Sequence, residues 1–90
     1  MKKVYMINYD LYKTGQDYID LINEIKKSPD HTKYLLSGWL IATAETTQQI
    51  YNRLSKWLDE NDRILVNELT SNRQGWLNVA VGEWLRKYGL

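Results

Sequence analysis

Two kinds of hydrophobic periodicity alternate along the chain, and their order restricts the folds that it can adopt. Strand-type segments cover about residues 4–9, 33–43 and 63–69, and helix-type segments cover about residues 15–27, 47–58 and 73–88. Ser37-Gly38 interrupts the second strand segment, which is either a tight hairpin or one long bent strand. Counted as two strands, it gives the order βαββαβ followed by a helix, and βαββαβ is typical of a ferredoxin-like fold.

Polar residues at the predicted helix starts support this order. Thr14 with Asp17 resembles a capping box before the first helix, and Thr46 with Gln49 forms one before the second. A proline follows the first helix and cannot continue it, so residues 28–32 are expected to connect it to the next strand.

The third helix lies outside the βαββαβ pattern. Its apolar face is expected to comprise Leu77, Val81, Trp84, Leu85 and Tyr88. Thr70 or Ser71 is available as its N-cap. Because two helices cover only one face of such a sheet, the other face needs helix three, a second copy of the chain, or both. We predict one ferredoxin-like α+β domain over residues 1–90, with its core in residues 3–70 and the C-terminal helix at about 73–88.

Composition narrows the chemistry that this domain can perform. The 90 residues include no cysteine and a single histidine, His31, which is expected to be exposed in a turn. Disulfides, thiolate zinc sites, cysteine nucleophiles and histidine-pair metal sites are therefore excluded. Only oxygen ligands remain, so a bound metal would be a hard cation such as Mg²⁺, Mn²⁺ or Ca²⁺.

A targeting signal would change the compartment in which the protein is expected. The apolar run after Met1-Lys2-Lys3 is too short for a signal-peptide core. No apolar stretch approaches the roughly 18 residues that a membrane span needs. We therefore expect a cytoplasmic protein with no membrane segment.

Three short strings resemble a known group of small proteins. They are Tyr9-Asp10-Leu11 with Gly15-Gln16-Asp17-Tyr18, then Leu36-Ser37-Gly38-Trp39-Leu40, and Asn61-Asp62-Arg63-Ile64-Leu65-Val66. They resemble the SinR family, which is similar in turn to the ferredoxin-like CRISPR adaptation subunit and to virulence-associated protein D. The resemblance covers roughly residues 4–70.

The resemblance implies a role for the aspartate that ends the first strand. Asp10 would be the catalytic residue and the metal ligand of a weak Mg²⁺- or Mn²⁺-dependent phosphodiesterase, that is, a nuclease. Two protomers would pair so that their Asp10 side chains face each other across a twofold axis. The residues themselves also allow a structural interpretation, in which Asp10 caps the backbone of the loop that follows it.

Charge and aromatic content bear on the partners. A formal net charge of +1 favours no more than weak nucleic-acid binding, although a dimer could bring Lys2, Lys3, Lys13 and Lys33 into one local patch. All 11 aromatic residues, seven Tyr and four Trp, carry a polar atom at the ring edge.

The four tryptophans are expected to divide between core and interface. Trp57 and Trp84 lie on the apolar faces of their predicted helices and are expected in the core. Trp39 on a strand and Trp76 off the main face of helix three are expected at a protein interface, because an indole can stay hydrogen-bonded while its ring is buried.

Three functions follow from these observations. The first is a homodimeric nucleic-acid-associated protein with a nuclease site at Asp10. The second is a catalytically inert interaction module, such as a defence- or mobile-element-related accessory with a protein partner. The third is a regulatory domain that binds a small ligand on the open face of the sheet.

Overall fold

Residues 1–13 and 18–90 form one sheet of four strands with three helices around it. A computed structural model describes residues 1–13 and 18–90. Its elements are β1 (Lys3–Asp10), α1 (Ile19–Lys26), β2 (Asp30–Leu35), β3 (Gly38–Thr43), α2 (Thr47–Ser55), β4 (Arg63–Glu68) and α3 (Val79–Arg86). The strands are antiparallel and lie in the order β2-β3-β1-β4. The described part of the chain is a small α+β domain, as predicted.

The middle strand segment contains a hairpin, one of the two alternatives that the sequence left open. Leu36 and Ser37 form the turn between β2 and β3. Gly38 begins β3 where two side chains crowd the backbone. A Cβ at Gly38 would lie 2.6 Å from Tyr34 Cε1 and 2.8 Å from Asn8 Oδ1. Close approach therefore favours glycine at this position.

The two predicted capping boxes have different outcomes. Gln49 N donates to Thr46 Oγ1 at 3.1 Å and Thr46 N donates to Gln49 Oε1 at 2.9 Å, which confirms the box at the start of α2. The box of Thr14 and Asp17 lies outside the described residues.

The predicted start of β2 and the predicted end of α2 are wrong. β2 already begins at Asp30, within the expected connection, because Asp30 pairs with Ala42 of β3. α2 ends at Ser55 and not near residue 58. There Trp57 N donates to Leu54 O, an i→i−3 bond that tightens the chain into a turn.

One face of the sheet packs against α1 and α2. This cluster consists of Tyr5, Ile7, Tyr18, Leu21, Ile25, Trp39, Ile41, Ile50 and Leu54. Alternate residues of β1 and β3 point to this face, as the twofold periodicity of strands requires. Side chains such as Leu21 and Ile50 are fully buried, and each burial contributes roughly 1.5–3 kcal/mol.

The second face of the sheet is partly covered by α3. Val81, Trp84 and Leu85 of α3 pack on a smaller cluster that includes Val4 and Leu40. The second face was predicted to need helix three, a second copy of the chain, or both, and α3 covers part of it.

α3 is shorter than the predicted third helix, which was placed at about residues 73–88. Neither Thr70 nor Ser71 caps it; Asn78 is the N-cap, and its side chain accepts a hydrogen bond from Val81 N at 3.0 Å. The expectation that Trp84 is a core residue is confirmed at 9% exposure. Within the described residues, no helix is long and apolar enough to cross a membrane.

Candidate functional site

A pocket lies where β1 ends, at the edge that also carries the β2–β3 turn. Its volume is about 420 Å³, and its lining comprises Tyr9, Asp10, Leu11, Lys13, Tyr18, Ile22, Lys33, Leu36 and Ser37. Asp10 is exposed at the last position of β1 and is paired in register with Arg63 of β4. We call this the β1-end pocket.

The four lysines that were expected to contact nucleic acid divide between two places. Lys13 and Lys33 line the β1-end pocket together with Asp10. Lys2 and Lys3 line a different pocket of about 240 Å³ at the start of β1. Asp10 lies seven positions after Lys3 along the extended strand, which corresponds to about 23 Å. One chain therefore does not assemble the four lysines into a single patch.

Asp62, at the start of β4, anchors the segment that follows Asp10. Its Oδ1 accepts hydrogen bonds from Tyr12 N at 2.8 Å and Tyr18 Oη at 2.5 Å, and its Oδ2 accepts one from Asp59 N at 2.7 Å. Tyr18 Oη in turn accepts a bond from Lys13 N at 3.0 Å. These bonds fix the backbone of Lys13 beside the β1-end pocket.

The protonation states of this cluster follow from its burial and hydrogen bonds. Burial raises the pKa of Asp62, but hydrogen bonds from Tyr18 and from two backbone amides outweigh that effect and leave the pKa below its ordinary value. Burial and the neighbouring carboxylate raise the pKa of Tyr18. Tyr18 therefore stays a phenol and Asp62 stays a carboxylate near neutral pH.

Asp62 was not predicted as a site residue from the sequence. The signal that points to it is topological. β1 and β4 are antiparallel neighbours, so the end of β1 and the start of β4 meet at one edge, as the pairing of Asp10 with Arg63 shows. A carboxylate just before β4 is then placed to accept hydrogen bonds from the loop after β1.

The described residues that line the β1-end pocket in one chain do not by themselves form a donor set for a divalent cation. Asp10 is the carboxylate among the described residues that line the β1-end pocket, and two lysines accompany it. Mg²⁺ is commonly held by one or two carboxylates with phosphate oxygens and water, and nearby ammonium groups oppose it. Among residues 1–13 and 18–90, no group of three or more histidine or acidic side chains could hold a metal ion.

Trp39 and Trp76, the two residues expected at an interface, lie in contrasting environments. Trp39 is 6% exposed in the core under α1 and α2, and its indole nitrogen donates to Tyr9 Oη at 3.1 Å. Placing Trp39 at an interface is therefore wrong, because the chain itself covers the ring. Trp76 is 99% exposed, in the segment before α3 and not on the helix.

Two further expectations about aromatic side chains are corrected. Trp57 is 38% exposed beyond the end of α2, with its indole nitrogen donating to Glu24 Oε1 at 3.2 Å, and it is not a core residue. His31 is half-buried on β2, not exposed in a turn, and its ring centroid lies 5.9 Å from that of Trp39.

Comparison with known proteins supports the fold alone. No family model matches the chain. Among solved structures, the chain is similar to a hypothetical protein, TT1823, from Thermus thermophilus. The TM-score is 0.65 at 18% sequence identity, and the match covers 88% of this chain and 98% of that one. The likeness therefore extends over most of the α+β domain.

Proposed function

We propose that the chain is a homodimeric, nucleic-acid-associated protein whose β1-end pocket contacts the phosphate backbone. The observation that carries the proposal is the presence of Lys13 and Lys33 in the same pocket as Asp10. Lysine ammonium groups are common phosphate ligands, and they bind without reading sequence. We also propose that the domain has ferredoxin-like topology, supported by its strand order β2-β3-β1-β4.

The charge balance predicts weak binding with a shallow dependence on salt. The net charge is +1, and Lys13 already forms an ion pair with Asp59 at 3.3 Å. A phosphate would have to compete with Asp59 for the Lys13 ammonium group. Two phosphate contacts per chain give a shallow dependence on salt, and a dimer would double it.

The nuclease activity implied by the resemblance depends on a second copy of the chain. Among the described lining residues of the β1-end pocket, one chain offers a single carboxylate, Asp10, for a cation. Two copies related by a twofold axis would offer two, which together with phosphate oxygens and water is a set that Mg²⁺ or Mn²⁺ accepts. The exposure of Asp10 leaves it accessible to such a partner.

Binding is tested with two charge-matched double variants. Lys13→Gln/Lys33→Gln removes two charges from the β1-end pocket, and Lys2→Gln/Lys3→Gln removes two from the other end of β1. Fluorescence anisotropy with labelled single-stranded and duplex oligonucleotides at low salt measures affinity. We expect a several-fold loss only in the first variant. Equal affinity in both variants, or a larger loss in the second, would contradict the proposal.

Cleavage is tested separately with Asp10→Asn. RNA and DNA oligonucleotides are incubated with Mg²⁺ or Mn²⁺, and with EDTA as the control. Metal-dependent cleavage by the native chain that disappears in Asp10→Asn supports the nuclease. Equal cleavage by both proteins, or none by either, removes the nuclease while leaving the binding result intact.

Trp76 favours a second candidate, a catalytically inert interaction module. A tryptophan that is 99% exposed is unusual on a surface unless a partner covers it. This function predicts a stable complex that tolerates Asp10→Asn and is lost with Trp76→Ala. Analytical ultracentrifugation of the complex, prepared with each variant in turn, measures whether the substitution dissociates it.

A further inference from the structure

A cleft separates the second face of the sheet from α3 and the segment that leads into it. Its volume is about 500 Å³, within the range of about 300–1,000 Å³ typical of small-molecule sites. The lining comprises Met6, Tyr34, Leu40, Leu69, Arg73, Gln74, Gly75, Leu77, Asn78, Gly82 and Leu85. We call it the α3 cleft. It shares no described lining residue with the β1-end pocket.

Two glycines keep the α3 cleft open. Gly82 lies within α3 and Gly75 in the preceding segment, and a Cβ added at either would meet no heavy atom within 4 Å. Packing therefore does not require glycine at Gly82. Glycine inside a helix is less favourable than alanine by about 1 kcal/mol. Because Gly82 lines the cleft, we expect a larger side chain at this position to narrow it.

The walls and one end of the cleft differ in polarity. Four leucines and Met6 provide an apolar part of the walls. Arg73 is the charged residue among the described lining residues. Its guanidinium donates to Thr70 O at 3.0 Å and to Leu90 O at 2.7 Å. These two bonds orient the group and leave further N–H donors for a ligand.

We propose that the α3 cleft binds a small amphipathic carboxylate, with its apolar body against the leucine walls and its carboxylate on Arg73. Apolar walls with one oriented cation match a ligand that is itself apolar with one anionic end. The site is independent of the proposed nucleic-acid contact, and the failure of either proposal leaves the other standing.

Binding is tested by titrating decanoate below its micelle concentration into the ¹⁵N-labelled chain. The backbone amides of Gly75 and Gly82 report on the cleft, and those of Leu21 and Ile25 report on the opposite face of the sheet. We expect saturable shifts at the two glycines and none at the other two residues. Decanol, which has the same body without the charge, is expected to bind at least about tenfold more weakly, since a charge-assisted hydrogen bond is lost.

Four variants test the two parts of the site. Gly82→Leu fills the cleft and is expected to abolish saturable binding, whereas Glu83→Leu adds the same side chain one position away and is expected to bind normally. Arg73→Gln is expected to weaken decanoate about tenfold without changing decanol, and Arg86→Gln is its charge-matched control. Gly82→Ala, which fits without a clash, provides a second test in case Gly82→Leu does not fold, with an expected several-fold loss of affinity.

Three results would overturn the proposal. The first is the absence of saturable shifts at Gly75 and Gly82. The second is equal affinity for decanoate and decanol. The third is a shift of the same glycine signals with protein concentration in the absence of decanoate, because that result would identify a second copy of the chain as the occupant of the cleft.

Discussion

At the scale of single residues, Asp62 joins two loops that are distant in sequence. Its carboxylate is 8% exposed and accepts three hydrogen bonds, two of which come from the segment between β1 and α1. A buried carboxylate is tolerated because these donors replace the water that it loses. The same bonds position Lys13, so the β1-end pocket depends on a residue that does not line it.

We predict that Asp62→Asn destabilises the fold by about 2–3 kcal/mol, since the amide retains the size of the side chain but presents N–H groups to donors. Urea denaturation at neutral pH measures the free energy of unfolding. Glu60→Gln, an exposed change two residues away, is the control and is expected to have little effect. A loss below about 0.5 kcal/mol in Asp62→Asn would show that the hydrogen bonds contribute little.

The lowered pKa of Asp62 also has a consequence for acid stability. Because the folded-state pKa lies below the unfolded value of about 3.9, the ionised carboxylate stabilises the fold above that value. This stabilisation is lost as the pH falls from about 4 through the folded-state pKa. Asp62→Asn is therefore expected to flatten the acid limb of the stability curve, which chemical denaturation at stepwise lower pH measures.

Gly38 shows a second way in which a single residue constrains the fold. We predict that Gly38→Ala destabilises the protein by about 1–3 kcal/mol, since the new methyl group would overlap the Tyr34 ring and the Asn8 side chain. Those two side chains are hydrogen-bonded to each other at 2.5 Å, which limits how far either can move. Gly75→Ala is the control, because its Cβ would meet open space. Equal thermal midpoints in the two variants would contradict this prediction.

At the scale of secondary-structure elements, α3 is held to β2 by one carboxylate. Asp30 accepts hydrogen bonds from Tyr88 Oη and from Lys87 Nζ, the latter at 2.9 Å. Burial raises the pKa of Asp30, but these bonds outweigh that effect and hold the pKa well below its ordinary value. Burial and the Asp30 carboxylate raise the pKa of Tyr88 to about 12. Lys87 and Tyr88 lie just after α3, and their bonds to Asp30 fix the end of the helix on the sheet.

We predict that Asp30→Asn loosens α3 while the rest of the fold remains intact. The expected loss is about 1 kcal/mol, because the carboxylate is partly exposed and solvent screens it. Hydrogen exchange should accelerate at Val81 to Leu85 and stay unchanged at Leu21. Ultraviolet titration should also show the pKa of Tyr88 falling. Glu83→Gln on α3 is the control, and uniform acceleration across the fold would show that the contact is not local to α3.

The elements also show which features of the fold can be predicted from one sequence. Six periodic segments and the capping box of Thr46 and Gln49 could be predicted, since they depend on periodicity and on hydrogen bonds between near neighbours. The division of the middle strand segment into β2 and β3 could not be decided from periodicity. The start of α3 could not, because Thr70, Ser71 and Asn78 are all acceptable caps and only packing against the sheet selects Asn78. β2 begins early because it pairs with β3, a contact that local pattern does not encode.

At the scale of the whole molecule, the two faces of the sheet are covered unequally. α1 and α2 bury one face, whereas α3 covers part of the other and leaves the α3 cleft and exposed apolar residues such as Leu65. Sequence could indicate Asp10 and the lysines as candidates, but not that Lys2 and Lys3 lie at the opposite end of β1. Sequence also could not show that Trp39 is buried and Trp76 is exposed. Both are isolated tryptophans, and their burial depends on how the helices pack on the sheet.

The exposed Trp76 makes the proposed homodimer testable with a single substitution. We predict that Trp76→Ala raises the dimer dissociation constant at least about tenfold, since an exposed tryptophan that becomes buried at an interface is typically worth 2 kcal/mol or more. Sedimentation equilibrium over a range of concentrations measures the constant. Tyr51→Ala, a change at an aromatic that is 44% exposed on α2, is the control and should leave the constant unchanged. The prediction fails if the native chain stays monomeric at the highest concentration or if both variants dimerise as it does. Loss of the dimer in Trp76→Ala together with loss of metal-dependent cleavage would show that the nuclease needs two copies of Asp10, whereas cleavage by the monomer would place the whole activity within one chain.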